Sequence, residues 1–210
     1  DQMLELSGIQ RYQQLLAFFT DADKRSMLEP AFAARLSADG VAAYLQGRFE
    51  RPGSDMLNRY LYLDLTSYLP EDILFKVDVA SMACSLECRS PFLDHKLVEF
   101  AFSLPGHYKL TRRGRHKHIL KEAFAGWLPP SFMDRPKQGF SVPLARWLRE
   151  DLGDLMREVL LERRTLAPWF RQERVREQVE AHLAGTQSNT QRLWSLFVLA
   201  LWVDRYRVTL

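Results

Sequence analysis

Apolar residues recur at steps of three and four along almost the whole chain, and no run of four or more residues alternates with the β-branched-rich period of two that a half-buried strand needs. The chain is therefore expected to be mainly α. Its 210 residues suffice for one domain or two small ones. Hydrophobic residues make up 47% and charged residues 26%, enough for a core and too apolar for disorder as the default. The longest strongly apolar run, 193–203, is broken by Ser195 and falls short of the roughly 18–20 residues that span a bilayer, so no membrane span is expected.

The opening DQMLELSGIQRY has acids where an export signal carries basic residues, and it lacks an apolar stretch. It does not begin with Met, which suggests a fragment of a longer protein. Two cysteines, Cys84 and Cys88, are too few for a disulfide scaffold and point to a reducing cytoplasm. Both are expected in the core, as free cysteines commonly are. A net charge of +3 is far from the basic balance that sequence-independent nucleic-acid binding requires, so no nucleic acid is expected as a partner.

Short helices are expected within 12–47, the first over 12–19, then one opened by Asp21 or Asp23 as N-cap, then one over 30–36 with proline in its first turn. The segment ERPGSDM at 50–56 is the best internal boundary, dividing a satellite of short helices, 1–53, from a helical body, 54–210. In the helix expected over 56–69, Leu57, Leu61, Asp64, Leu65 and Tyr68 share a face, so one acid intrudes into an apolar stripe. Pro70 is expected to stop that helix, and Glu71 or Asp72 to begin another with Ile73, Val77, Ala80 and Cys84 on its apolar face. Ser90, before Pro91, is biased to an extended conformation, and Asp94 should cap a helix over 95–103. Further helices are expected near 117–125, 143–149, 152–161, 173–183 and 190–205.

Positive charge concentrates in KLTRRGRHKHILK, where Lys109, Arg112, Arg113, Arg115, Lys117 and Lys121 surround a turn at Gly114. Such a segment suits phosphate, or is simply a solvated basic loop. His116 and His118 are two apart, about 200° around a helix, and cannot jointly hold a metal, so no metal site is expected. A second loop, DRPKQGFSVP, sets Arg135 and Lys137 between prolines, as a stiff phosphate clamp would. Asp72 and Lys76, acid first at i,i+4, read on spacing alone as a surface pair contributing roughly 0.2–0.5 kcal/mol.

The run YLPEDILFKVDVASMACSLECRSPFLDHKLVEFAFSLP at 68–105 resembles the synthetase half of glutamine-hydrolysing asparagine synthetases. HKHILKEAF at 116–124, LPPSFMDRPKQGFSVPLARWLR at 128–149 and LWSLFVLALWVDRY at 193–206 continue the resemblance in the family's order. It implies the helical C-terminal portion of an α/β ATP-pyrophosphatase synthetase domain. The glutaminase half, the Ser-Gly-Gly-x-Asp-Ser pyrophosphate loop and the parallel ATP-binding sheet are expected upstream, as partners in one parent protein. The implied chemistry is ATP-dependent adenylation of the aspartate side chain, followed by attack of glutamine-derived ammonia, with magnesium and fixed cations stabilising the phosphates. Lys137 matches the family's loop lysine and Arg135 a positioning group beside it. Asp72, Lys76 and Asp78 match the segment lining the acyl-adenylate pocket, where Asp72 could orient or deprotonate the attacking amine. Lys117 is a further candidate for ATP. Glu87 and Arg89 are expected to pair and fix a turn, and Asp94 to cap a helix. The resemblance leaves open a homodimer, and also a paralogue adenylating another acid (β-lactam synthetase, lasso-peptide cyclase or polysaccharide-cluster amidotransferase) or a non-catalytic helical module.

Overall fold

The computed structural model describes residues 8–36, 40–51, 53, 55–133, 135–136 and 142–208. They form the α-helices α1 (Gly8–Leu16), α2 (Asp21–Met27), α3 (Pro30–Ala33), α4 (Gly40–Phe49), α5 (Met56–Thr66), α6 (Phe75–Met82), α7 (His95–Ser103), α8 (His118–Ala123), α9 (Pro130–Met133), α10 (Leu144–Arg149), α11 (Gly153–Arg157), α12 (Gln172–Leu183) and α13 (Thr190–Tyr206). Two π-helical turns, Leu69–Leu74 and Glu158–Glu162, run into or out of α-helix. The chain is mainly helical, as its periodicity requires. Among the described residues extended pairing is limited to two isolated antiparallel bridges, Leu28 with Phe170 and Leu110 with His116. No helix among them is long and apolar enough to cross a membrane.

The described residues fall into two compact units, one of 8–36 with 142–208, the other of 40–136. The first is built on α12 and α13. Val175 and Val179 on α12, and Leu193, Leu196, Phe197, Ala200 and Val203 on α13, turn inward at steps of three and four. Leu148, Met156 and Leu160 close the same core. The N-terminal helices are fastened to it by main chain: Glu29 N–H donates to Trp169 O at 2.9 Å and Arg171 N–H to Met27 O at 2.8 Å. Arg192 ties them again, donating to Asp23 at 2.7 Å and to Phe18 O at 2.8 Å.

The cap of α2 differs from expectation. Thr20 is the N-cap, accepting from Asp23 N–H at 3.1 Å, while Asp23 reaches back to Thr20 N–H at 2.9 Å. This capping box satisfies two helix-end donors at once, which neither acid alone would do. His182 is fully buried on α12, and neither ring nitrogen makes a hydrogen bond of good geometry, though backbone groups of Ala145 and Gln187 lie close. Burial, reinforced by the nearby Arg149 guanidinium, pushes the imidazole below its ordinary pKa against the opposing pull of backbone at Ala145 and Gln187.

In the second unit α4 lies along α5 and the chain then turns into the π-helical segment. Here α5 ends at Thr66, well before Pro70, and Ser67 breaks it with φ −133° and ψ −82°. Thr66 and Ser67 hydroxyls donate back to Tyr62 O at 2.8 Å and Leu63 O at 2.6 Å, contacts that bend helices. Pro70 then sits in the first turn of the next helical stretch, where its missing N–H costs nothing. The residues α5 buries are Asn58 and Leu63, so the buried face is not the 57/61/64/65/68 stripe, and Asp64 is half-buried.

Candidate functional site

All the described residues singled out for chemistry lie in the second unit. Asp72 stands in the π-helical turn and Lys76 in the first turn of α6, and their side chains meet at 3.5 Å with half or more of each exposed. Asp78, also in the first turn of α6, is exposed, and its carbonyl accepts from Ser81 Oγ at 3.2 Å. Beyond α6 Ser85 is left-handed, φ 58°, and 86–90 carry no regular structure, with Ser90 extended at φ −99° and ψ 117°. Glu87 and Arg89 pair there at 2.6 Å, both exposed. Asp94 accepts from Lys96 N–H at 3.0 Å and Leu97 N–H at 3.3 Å at the start of α7.

Lys117 takes a left-handed conformation, φ 54° and ψ 37°, as it enters α8, with its side chain exposed. Arg112 and Arg113 project at the turn of the Leu110–His116 bridge, whose tight reversal uses Gly114 at φ 78°. Arg135 lays its guanidinium 4.5 Å from the Phe132 ring centroid. Lys137 lies outside the described residues. The structure thus brings Asp72 to Lys76 and Glu87 to Arg89, while no ion pair or hydrogen bond joins Lys117 or Arg135 to the Asp72–Lys76 pair among the described residues. No group of three or more His, Cys, Asp or Glu side chains is arranged among the described residues to hold a metal ion.

Sequence reasoning passed over the polar cluster that shapes this unit. Asp55 caps α5 through Asn58 N–H at 2.9 Å and also accepts from Gly106 N–H at 2.7 Å. Asn58 donates to Phe102 O at 3.3 Å and Leu104 O at 3.1 Å, and Lys109 donates to Asn58 Oδ1. Burial pushes the Lys109 ammonium below its ordinary pKa, opposed by Asp55, while the two backbone N–H groups hold the Asp55 carboxyl low. The signal available was a polar Asn at N3, inside a helix otherwise rich in leucine and tyrosine. Its partners lie 44 to 51 residues away, beyond any local pattern.

Cys84 and Cys88, expected in the core, are exposed. So are Val77 and Ala80 of the face that spacing marks as apolar on α6, and Phe75, Val79 and Met82 around it. The same holds for Phe92, Phe100 and Trp127, the last at 81%. A cleft of about 350 Å³ in the first unit, lined by Ser26, Met27, Arg174, Glu177 and Gln178, contains none of the candidate site residues.

The Asparagine synthase family model matches residues 3–204. Asparagine synthetase [glutamine-hydrolyzing] 1 of Bacillus subtilis is 32% identical over 146 residues, 70% of this chain and 23% of the relative. A putative asparagine synthetase [glutamine-hydrolyzing] of Mycobacterium tuberculosis is 32% identical over 202 residues, 92% of this chain and 29% of the relative. The human asparagine synthetase [glutamine-hydrolyzing] is 37% identical over 90 residues, 42% of this chain and 15% of the relative. The chain spans about a quarter of the length of the first two. No solved structure matches it. A family match over nearly its whole length, with which the helical fold agrees, places this chain in the asparagine synthase family.

Proposed function

We propose that this chain is the helical C-terminal part of an ATP-dependent, glutamine-hydrolysing asparagine synthetase. The observation that carries the reading is the family match, spanning 3–204, to relatives named for that activity. In the proposed reaction a side-chain oxygen of aspartate attacks the α-phosphorus of ATP, and the bond to pyrophosphate breaks. Ammonia from glutamine then attacks the acyl carbon, AMP leaves with the C–O bonding pair, and the nitrogen gives up one proton. Lys137 and Arg135 stabilise the charge that moves onto pyrophosphate, and Lys117 adds positive potential for the nucleotide. Asp72, held by Lys76 and with Asp78 six residues on, orients the ammonia or takes its proton. Magnesium, expected in the complete enzyme, would be shared with the nucleotide and neutralise charge on its phosphates.

The partners are the glutaminase domain and the ATP-binding sheet of the same parent protein, acting in the cytoplasm. The large apolar side chains exposed on the second unit, Phe75, Val79, Met82, Phe92, Phe100 and Trp127, support such a covering sheet. Single-turnover pyrophosphate release by the complete protein tests the reading. Lys137→Ala should slow it by a factor on the order of 100 to 1,000, with glutaminase activity intact, and Lys137→Arg should rescue only in part. A near wild-type rate in Lys137→Ala would remove that residue from the mechanism.

A further inference from the structure

The helix α4 carries none of the residues assigned to chemistry, yet it grips the segment that does. Leu45 and Phe49 are buried, and the Phe49 ring lies 5.0 Å from that of Tyr60 on α5. Beside this apolar contact stand two polar ones. The Tyr44 hydroxyl donates to the Glu71 carboxylate at 2.7 Å, and Arg48 donates through Nε to Thr66 O at 3.2 Å. The Arg48 guanidinium also stacks 3.5 Å from the Tyr44 ring centroid, so each side chain limits the freedom of the other.

These two contacts fall on opposite sides of the break at Ser67. Thr66 is the last residue of α5, and its carbonyl is one of the four that a helix end leaves without an intrahelical partner. A cation suits that position both as donor and as a charge at the negative end of the helix. Glu71 belongs to the π-helical turn Leu69–Leu74, a geometry that is uncommon and recurs as single turns at functional sites. The residue after Glu71 is Asp72, whose carboxylate meets Lys76.

We infer that Tyr44 and Arg48 are positioning residues, which clamp the π-helical turn across the break at Ser67 and so set the direction of Asp72 and Lys76. The inference rests on the role of Asp72 and Lys76 given under Proposed function. The same hydrogen bond to Glu71 holds the Tyr44 phenol above its ordinary pKa.

Tyr44→Phe removes only the hydroxyl and keeps the ring under Arg48. In hydrogen exchange on the 210-residue chain, amides of 69–76 should then exchange about three- to tenfold faster, with those of 172–206 unchanged. Unchanged exchange at 69–76 would overturn the clamp whatever the activity. In the complete protein, Tyr44→Phe should slow the ammonia-dependent step about three- to tenfold while single-turnover pyrophosphate release stays within about twofold. Glu71→Gln keeps an acceptor and should stay near wild type, whereas Glu71→Ala should match Tyr44→Phe. Asp72→Asn separates the two readings. If it slows the ammonia step and Tyr44→Phe does not, positioning by Tyr44 is wrong. If Asp72→Asn has no effect, the role of Asp72 falls, and exchange still decides whether the clamp exists.

Discussion

The two units are made of the same kind of helix and differ in what becomes of their apolar faces. In the first, Leu148, Met156, Val159, Val179, Leu193 and Ala200 are each at 0% exposure. In the second, Leu63 is the one large apolar side chain that reaches 0% among the described residues, and the apolar side chains of α6, with Leu97 and Phe100 of α7, stay open. Hydrophobic patterning therefore states which face seeks cover, and says nothing about whether cover is at hand. Where helices of sufficient length cross, as α12 and α13 do, the faces close on one another. Where the helices are short and serial, stability comes instead from caps and polar clamps such as the Asp55–Asn58–Lys109 cluster and the Tyr44–Glu71 contact.

If that contrast is right, the largest effect should come from the closed core. Leu160→Ala should destabilise the first unit by about 2–5 kcal/mol, read from urea unfolding followed by hydrogen exchange at 172–206. A loss under about 1 kcal/mol would mean that this core is as loosely packed as the second unit. Next in size is Gly106→Ala. A methyl group there would meet the Asp55 carboxylate at 2.8 Å and Leu57 Cβ at 3.0 Å, so the second unit should lose about 1–3 kcal/mol. Its exchange should rise in 55–66 and 104–109 with the first unit unaffected; a spread into the first unit would erase the division.

The third expectation concerns pH and His182. Its pKa in the folded state is depressed, so the unfolded chain takes up the proton first as pH falls below about 6.5. The first unit should hold its full stability above that pH and lose it as pH falls towards the folded-state value, with a slope of at most about 1.4 kcal/mol per pH unit. Urea midpoints from pH 8 to pH 5 for wild type and His182→Gln provide the check, and equal slopes would clear His182. The smallest effect should be Trp127→Ala, within about 0.5 kcal/mol on this chain because the indole touches little of it. In the complete protein the same change should cost more, if a sheet covers that face. A loss above about 2 kcal/mol on the 210-residue chain would show that the second unit has a core the contrast denies it.

Local signals carried far in this chain. The helical character, the cap at Asp94, the extended Ser90 before Pro91 and the i,i+4 pair of Asp72 and Lys76 were all legible. Each is decided by residues within about four positions of one another, the range over which capping and helical periodicity act. The site was legible as a segment and by resemblance, and less so as a geometry. Lys137 could be marked only by matching its loop, and nothing in spacing marks Tyr44 or Arg48 as neighbours of the Asp72 turn.

What the amino-acid order alone determined was a mainly helical member of the asparagine synthase family, with its chain-local caps and turns. Tertiary structure decided the rest: that Thr20 and not an aspartate caps α2, that Leu63 and Asn58 are the buried residues of α5, that His182 is sealed in a core, and that Cys84, Cys88 and the α6 face stand open. The physical reason is the range of the forces concerned. A cap or an i,i+4 pair is formed by neighbours in sequence, whereas burial needs a second surface of matching shape, and that surface comes from parts of the chain many residues away or from another domain.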